Sequence, residues 1–377
     1  MTLGSGLTRR RWLLGALLLA AIVLVTAGGV VAVRLAGDRG AEPGAATPTA
    51  SASPSPTTAA PSPTASSPSP PPGADITGPL NLLLVGVDTR VSVPGWEPHA
   101  DAVLVLHVPR GLGRAYLFSL PRDLLVDIPA FPKAGYRGGR TKLTHAMSYG
   151  SRVPGRPKQP DTAQGYELLR STVSGYTGLR IDAGAVITFN GFDRLVDSLG
   201  GVDLYVDQRV VSRHRQPDGR HREPGAGGYV GPQMVYEKGS RHLTGWQALD
   251  YARQRYLTGG DYSRQRHQQQ LIRALVRKIL DQGLARDPDR VQQVTDALGD
   301  TLVYAGGGRR LVDLAYALGG LPADRFVLVG LPGSSVGSGG AYRGEQLTSV
   351  GRRFLTELRA GRADAYLSDH PTLRVKA

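Results

Sequence analysis

Between residues 251 and 270 the chain reads YARQRYLTGGDYSRQRHQQQ, which sets Arg253, Arg255, Arg264 and Arg266 and a cluster of glutamines around one acid, Asp261. Helical phase separates these arginines. A helix starting at Ser263 and advancing 100° per residue places Leu271, Ile272, Leu275 and Ile279 on one apolar stripe. Arg264 and Gln268 fall on that stripe, and Arg266 points away from it. A solvated charge run keeps its arginines on the polar face. An arginine on the apolar face, at the helix N-terminal end where anions bind well, needs a buried partner of opposite charge. Asp261 is one such partner; a phosphate group, whose oxygens match the guanidinium fork, is the other. Arg253 and Arg255 alternate, so an extended backbone there directs both to one side. With Arg122 and Arg264 they make four guanidinium groups, more than one carboxylate needs and suited to a pyrophosphate.

Two acids stand where metal chemistry is possible. Apolar runs at 80–88, 101–109 and 115–121 predict three strands, and their connections of 12 and 5 residues allow an antiparallel meander. Asp88 ends the first strand, Asp101 begins the second and Arg122 follows the third, so all three share one edge of the sheet. Adjacent carboxylates repel unless neutralised, and a hard cation such as Mg2+ does so while leaving room for a phosphate. The alternative is that both are ordinary strand-end aspartates.

The elements that must carry these residues follow from pattern. Helices are expected at 162–175, 191–201, 263–281, 289–299, 309–318 and 345–360, and further strands at 202–206 and 325–332. Strands and helices mix without a regular βαβ rhythm, which predicts an α/β (α+β) fold with a central mixed sheet flanked by helices. The Gly- and Arg-rich stretch 208–241 reads as an inserted loop.

Ahead of this domain, Arg9, Arg10 and Arg11 precede an uncharged run from Trp12 to Val33, long enough to cross a bilayer. The expected organisation is a cytoplasmic tail over 1–11, a transmembrane helix over 12–34, a Pro/Ser/Thr/Ala-rich disordered linker over 35–78 and an extracytoplasmic catalytic domain over 79–377, with its motifs in 80–285. A cleaved, twin-arginine-type signal is the other reading of the first segment. The formal net charge of +14 points to an anionic partner or surface. Zero cysteines exclude disulfides, thiolate metal sites and a cysteine nucleophile. With six Phe and three Trp, base-stacking platforms are poorly supplied, and no nucleic acid is expected as partner.

In order, LLLVGVDTR, HADAVLVLH, SLPRDLLVDIP, KLTHAMSYG, IDAGAVITFNGFDRLVDSLGGVDLYV, LTGWQALDYARQRY and DYSRQRHQQQLIRAL resemble the LytR-CpsA-Psr family of cell-envelope phosphotransferases. The resemblance runs from about residue 80 to at least 280. It implies a transferase in the cell membrane that takes a glycopolymer from a polyprenyl-pyrophosphate carrier, held in an apolar cavity, and links it to peptidoglycan through a phosphodiester, with pyrophosphatase activity on the side. Carried over by motif, Asp88 and Asp101 bind Mg2+ (or Mn2+), and Arg122, Arg253, Arg255, Arg264 and Gln268 hold the pyrophosphate. Arg90 and Asp261 lie close by, Asp261 as a candidate general base. The chain departs from the family pattern at His99-Ala100, usually Arg-Thr, at His267, usually Arg, and at Ser263, usually Gly.

Two other readings compete. GSSVG matches a nucleophile elbow around Ser335, with Asp364 and His370 following in hydrolase order. The basic stretch SRHRQPDGRHREPG (212–225) suits a non-catalytic binder of anionic wall polymer. His145 is expected to be structural, fixing a turn by a hydrogen bond.

Overall fold

The computed structural model describes residues 73–88, 95–225, 228–281, 298–318, 321 and 325–375. The apolar run 12–34, the linker over 35–72, Arg90 and most of the helix expected at 289–299 lie outside the described residues. Among the described residues no helix is long and apolar enough to cross a membrane. Residues 73–78, assigned above to the linker, already belong to the domain: Ile76 packs on the core and Asp75 pairs with Arg309.

The meander forms as expected. Strands β1 (Leu80–Asp88), β2 (His99–Val108) and β3 (Ala115–Ser119) pair antiparallel in sequence order. A small ribbon, β4 (Leu125–Ile128) and β5 (Gly139–Lys142), leads to helices α1 (Thr144–Gly150) and α2 (Thr162–Thr177). The Asp161 carboxylate caps α2 by accepting from the Gln164 N–H at 2.9 Å, and Gly178 ends it with φ of 67°. Strand β6 (Ala183–Thr188) then pairs parallel to β1, and α3 (Phe189–Ser198) returns to β7 (Val202–Val206). Strand β8 (Gly239–Leu243) pairs with β7 and runs into α4 (Gly245–Arg253), which Thr244 and Gln247 start with a capping box. The long helix α5 spans Gly260–Asp281. After β9 (Leu302–Ala305) come α6 (Leu311–Leu318), β10 (Phe326–Val329), the ribbon β11 (Gly333–Val336) and β12 (Gly344–Leu347), then α7 (Ser349–Arg359) and α8 (Ala363–Asp369).

The main sheet has the order β9-β6-β1-β2-β3-β10, with parallel pairs β1/β6 and β3/β10 and antiparallel pairs elsewhere. The mixed sheet flanked by helices is therefore observed. Alternation along β1 and β2 sorts the core onto two faces. Leu83, Val85, Val103 and Val105 pack with α1, α2 and α7, whereas Leu82, Leu84, Leu104 and Leu106 pack toward α5 and α6. A further cluster joins α3 and α4 to the apolar stripe of α5 through Leu195, Ala248, Leu271 and Leu275.

The stretch 208–241 is not a plain inserted loop. It holds short antiparallel pairs, and its arginines brace backbone: Arg222 donates to the carbonyls of Arg213, Tyr229 and Gly231. Arg222 is thus buried and structural, while Arg220 stays in solvent, paired with Asp218.

Candidate functional site

A bulge in the sheet places the first acid. Gly86 faces Ala102 and Val87 faces Ala100, so Asp101 is the extra residue of β2 with no partner across the ladder. Such an insertion re-aims the side chain it carries. Asp101 pairs there with Arg122, which lies just past β3 on the same edge. Asp88, the last residue of β1, faces His99 across the pair and stands 3.4 Å from Arg253 Nη2. Both acids and Arg122 thus share one sheet edge, as the strand lengths predicted.

Arg253 is the final residue of α4 rather than part of an extended segment. Helicity through Arg253 gives it and Arg255 separate surroundings: Arg253 lies 4.1 Å over the Phe189 ring, while Arg255 Nε stands 3.9 Å from Asp261 Oδ1. The chain leaves α4 at Gln254 with extended dihedrals, and only there does the alternation begin.

Arg264 behaves as its helical phase requires. It is 4% exposed, and its Nη2 lies 2.7 Å from Asp261 Oδ1. That contact has ion-pair distance without hydrogen-bond alignment, because Asp261 Oδ1 and Arg264 Nε are both buried with no hydrogen-bond partner among the described residues. Burial pushes the Arg264 pKa down, against the pull of the Asp261 and Asp101 carboxylates. A guanidinium kept out of water with an idle N–H is a group waiting for an acceptor. On the far side of α5, Arg266 is not freely solvated. It donates from Nε to Asp207 at 2.7 Å, and the fully buried His267 contacts the same carboxylate at 3.2 Å.

Asp123 was missed in the sequence. Its Oδ1 accepts from Arg122 Nε at 3.3 Å, and its Oδ2 lies 3.4 Å from Lys142 Nζ and 3.2 Å from the Tyr342 hydroxyl. Tyr342 also reaches Glu345 Oε1 at 3.1 Å, and Glu345 accepts in addition from Ser335 at 2.9 Å and Tyr262 at 3.3 Å. Burial opposes the charges on Arg122 and Asp123, but their neighbours prevail: Asp101 and Asp123 hold Arg122 protonated, and Arg122 and Lys142 hold Asp123 ionised. Four guanidinium groups therefore meet four carboxylates, Asp88, Asp101, Asp123 and Asp261. The expected surplus of positive charge is absent until something displaces the acids.

Asp88 and Asp101 are the residues of this edge that could hold a divalent cation. They offer hard oxygens, two ligands rather than a cluster, since among the described residues no group of three or more His, Cys, Asp or Glu gathers. The protein would contribute two ligands, leaving the rest to water and phosphate, which is how Mg2+ is commonly held.

Beneath the charged cluster lies an apolar cavity of about 100 Å3, walled by Leu84, Leu104 and Leu106 of the sheet, Phe189 and Phe192 of α3, and Leu271 and Leu275 of α5. Arg253 and Gln268 are its polar members and bring the cavity up to the arginines.

The hydrolase elements do not assemble. Ser335 lies inside the β11/β12 ribbon, with no helix following at once, and bonds Glu345. Asp364 pairs with Arg114, and His370 stacks on Tyr366. His145 contacts Thr141 Oγ1 at 2.9 Å at the start of α1, as a turn-fixing histidine should.

The model described as the LytR_cpsA_psr family matches residues 45–340. The chain is 27% identical over 225 residues to the polyisoprenyl-teichoic acid–peptidoglycan teichoic acid transferase TagU of Enterococcus faecalis, covering 59% of this chain and 60% of TagU. It is 25% identical over 297 residues to the cell wall biosynthesis protein LcpA of Corynebacterium glutamicum, covering 72% and 53%. The chain spans roughly half the length of the curated relatives it matches, from 44% to 60%. Among solved structures, TagV of B. subtilis aligns with a TM-score of 0.55 at 18% identity over 77% of this chain and 98% of TagV. TagT bound to LI-WTA aligns at 0.51 and 23% identity, covering 74% and 89%. These two likenesses are of fold.

Proposed function

The chain belongs to the LytR-CpsA-Psr family, and on that premise we propose that it is a membrane-anchored phosphotransferase. It moves a glycopolymer from a polyprenyl-pyrophosphate carrier onto peptidoglycan through a phosphodiester bond. The observation that carries this reading is Arg264, buried with an idle Nε–H one helical turn before Gln268, which with Arg253 is a polar member of an otherwise apolar cavity. A ligand with a greasy tail and a doubly phosphorylated head meets both requirements at once.

In the reaction a hydroxyl of the acceptor glycan attacks the phosphorus next to the donor sugar. The bond from that phosphorus to the bridging oxygen breaks, and polyprenyl phosphate leaves. Arg122, Arg253, Arg255 and Arg264 hold the two phosphates and offset charge on the transferring group. Asp88 and Asp101 would hold Mg2+, which when bound supplies further neutralisation of phosphate charge. Asp261 lies within reach of Arg264 and Arg255 and is the candidate to accept the hydroxyl proton. Water in place of the acceptor gives pyrophosphatase activity.

The test is incubation of the purified full chain in detergent with a polyprenyl-pyrophosphate-linked oligosaccharide, peptidoglycan and Mg2+. Mass spectrometry should find phosphodiester-linked glycan on muropeptides together with released polyprenyl phosphate. Donor that binds and is never consumed would instead establish a non-catalytic polymer binder. The anchor, with the N-terminus in the cytoplasm and the domain outside, predicts that protease added to intact spheroplasts cuts within 35–72; protection there would refute this topology.

A further inference from the structure

A row of aromatic rings leads away from the metal edge, and nothing in the phosphoryl chemistry uses it. Trp96 Nε1 donates to the backbone carbonyl of Asp88 at 3.3 Å, and His99 sits opposite Asp88 in the β-pair, so the row begins at the site itself. From there the ring centres step 6.0 Å from Trp96 to His99, 6.4 Å to His145, 5.4 Å to Tyr149 and 4.9 Å to Tyr136. These residues come from the loop before β2, from β2, from the loop before β5 and from α1. All five rings are half-buried, neither sealed in the core nor projecting as isolated surface residues.

Polar groups along the row are held in place. His99 Nδ1 is tied to the Glu97 carbonyl at 2.8 Å and His145 Nδ1 to Thr141 Oγ1 at 2.9 Å. Among the described residues nothing bonds Nε2 of either ring. The His99 Nδ1 faces a carbonyl and must donate to it, which fixes the orientation of the ring. Arg152 lies 4.5 Å over the Tyr149 ring, and Glu97 fixes its guanidinium with contacts of 2.6 and 3.1 Å. Burial, with His99 and Lys142 nearby, lowers the His145 pKa, which keeps that imidazole neutral at neutral pH.

We propose that the row formed by Trp96, His99, His145, Tyr149 and Tyr136 is a glycan-binding wall that guides a pyranose chain to the phosphoryl-transfer edge at Asp88. Sugars present apolar C–H faces and a rim of hydroxyls, and amphipathic rings with fixed acceptors and donors between them match both. A bare hydrocarbon chain offers nothing to the Nε2 atoms of the two histidines, whereas a sugar hydroxyl can bond them. The inference rests on the transferase reading and deepens it, since both the donor polymer and the peptidoglycan acceptor are glycans.

The test is calorimetric titration of the full chain in detergent with the β-1,4-linked tetramer of N-acetylglucosamine, and in parallel with inorganic pyrophosphate and Mg2+. Wild type should bind the tetramer, and Trp96→Ala and Tyr149→Ala should each weaken it roughly tenfold, as loss of an aromatic anchor does. Trp96→Phe and Tyr149→Phe should keep most of the affinity, which separates lost stacking from lost folding. Pyrophosphate affinity should stay within about twofold in all four. In the transfer assay, a raised KM for peptidoglycan fragments assigns the wall to the acceptor, and a raised KM for the lipid-linked substrate assigns it to the donor sugar. Tetramer binding that is absent, or equal in the alanine variants and wild type, overturns the wall. Failure of pyrophosphate to bind wild type would count against the transferase reading instead.

Discussion

Asp101 is ion-paired with Arg122 at a bulge on the sheet edge. The same holds beside it for Asp88 and Arg253. Each acid expected to hold a divalent cation is thus occupied by an arginine expected to hold phosphate. A cation that takes the two carboxylates releases both guanidinium groups toward the pyrophosphate. Mg2+ and pyrophosphate should therefore bind with positive coupling, each tightening the other by the same factor, roughly 5–150-fold for a coupling of ordinary size. Titrating pyrophosphate with and without Mg2+ measures it. Asp101→Asn should abolish the coupling while circular dichroism remains native, since Asp101 carries no core packing; equal affinities with and without Mg2+ in wild type would rule out the exchange.

Asp123 should position Arg122. Asp123→Asn removes a charge-assisted partner, a loss of about 1.5–3 kcal/mol for such a bond, and should raise the donor KM more than it lowers kcat. Tyr342→Phe, one step further from Arg122, should show the same pattern more weakly. Steady-state kinetics with varied donor decide this. A loss confined to kcat in Asp123→Asn would mean that Asp123 acts in the chemistry itself.

The cavity makes a steric prediction. An isoprenoid tail seated there would pack against Leu84 and Leu104 of the sheet, Phe189 of α3 and Leu271 of α5. Ala252 is buried in its wall, and Ala252→Phe fills the space. Overpacking of this kind costs about 1–3 kcal/mol. Donors with long prenyl tails should lose affinity in this variant, and a donor analogue with a short tail should not. Equal losses for both tails would place the lipid elsewhere.

Much of this site was legible in the sequence because it depends on local periodicity. Strand 80–88, the edge position of Asp88 and Asp101, and the burial of Arg264 all follow from periods of 2 and 3.6 residues. The bulge at Asp101 was not legible, since register depends on the partner strand. Asp123 was hidden for a related reason: Tyr342, which holds it, is 219 residues away in sequence. Arg253 misled because alternation with Arg255 suggests extension, whereas the capping box at Thr244 and Gln247 drives a helix that runs through Arg253. Neutral charge balance among four arginines and four acids likewise becomes visible only once Asp123 and Asp261 are placed in space.

Acid should expose the role of Arg266. Burial works to raise the Asp207 pKa, but hydrogen bonds from His267 and Arg266 overcome it and hold the carboxyl below the usual range. A depressed pKa stabilises the fold fully above the unfolded value of about 3.9 and loses that contribution as pH falls toward the folded value. Arg266→Ala should therefore destabilise the protein at pH 6 by about 1 kcal/mol or less, given its partly exposed pair. The deficit should shrink as pH drops below about 4. Urea melts at pH 6 and pH 3 measure it, and a deficit that grows toward acid would contradict the assignment.

Arg264 carries the account most directly. It and Arg266 are two residues apart with the same charge, yet one is buried with an idle Nε–H next to Asp261 and the other is paired to Asp207 on the opposite side of α5. The decisive measurement is the affinity of a polyprenyl-pyrophosphate-linked donor for Arg264→Ala and Arg266→Ala side by side, in the presence of Mg2+. Truncating a guanidinium that pairs with a buried phosphate should cost about 2–5 kcal/mol, or roughly 30-fold and more in Kd for Arg264→Ala. Arg266→Ala should stay within about fivefold of wild type. Equal losses in the two variants would mean that the stretch acts as a diffuse basic surface, and would contradict the pyrophosphate site.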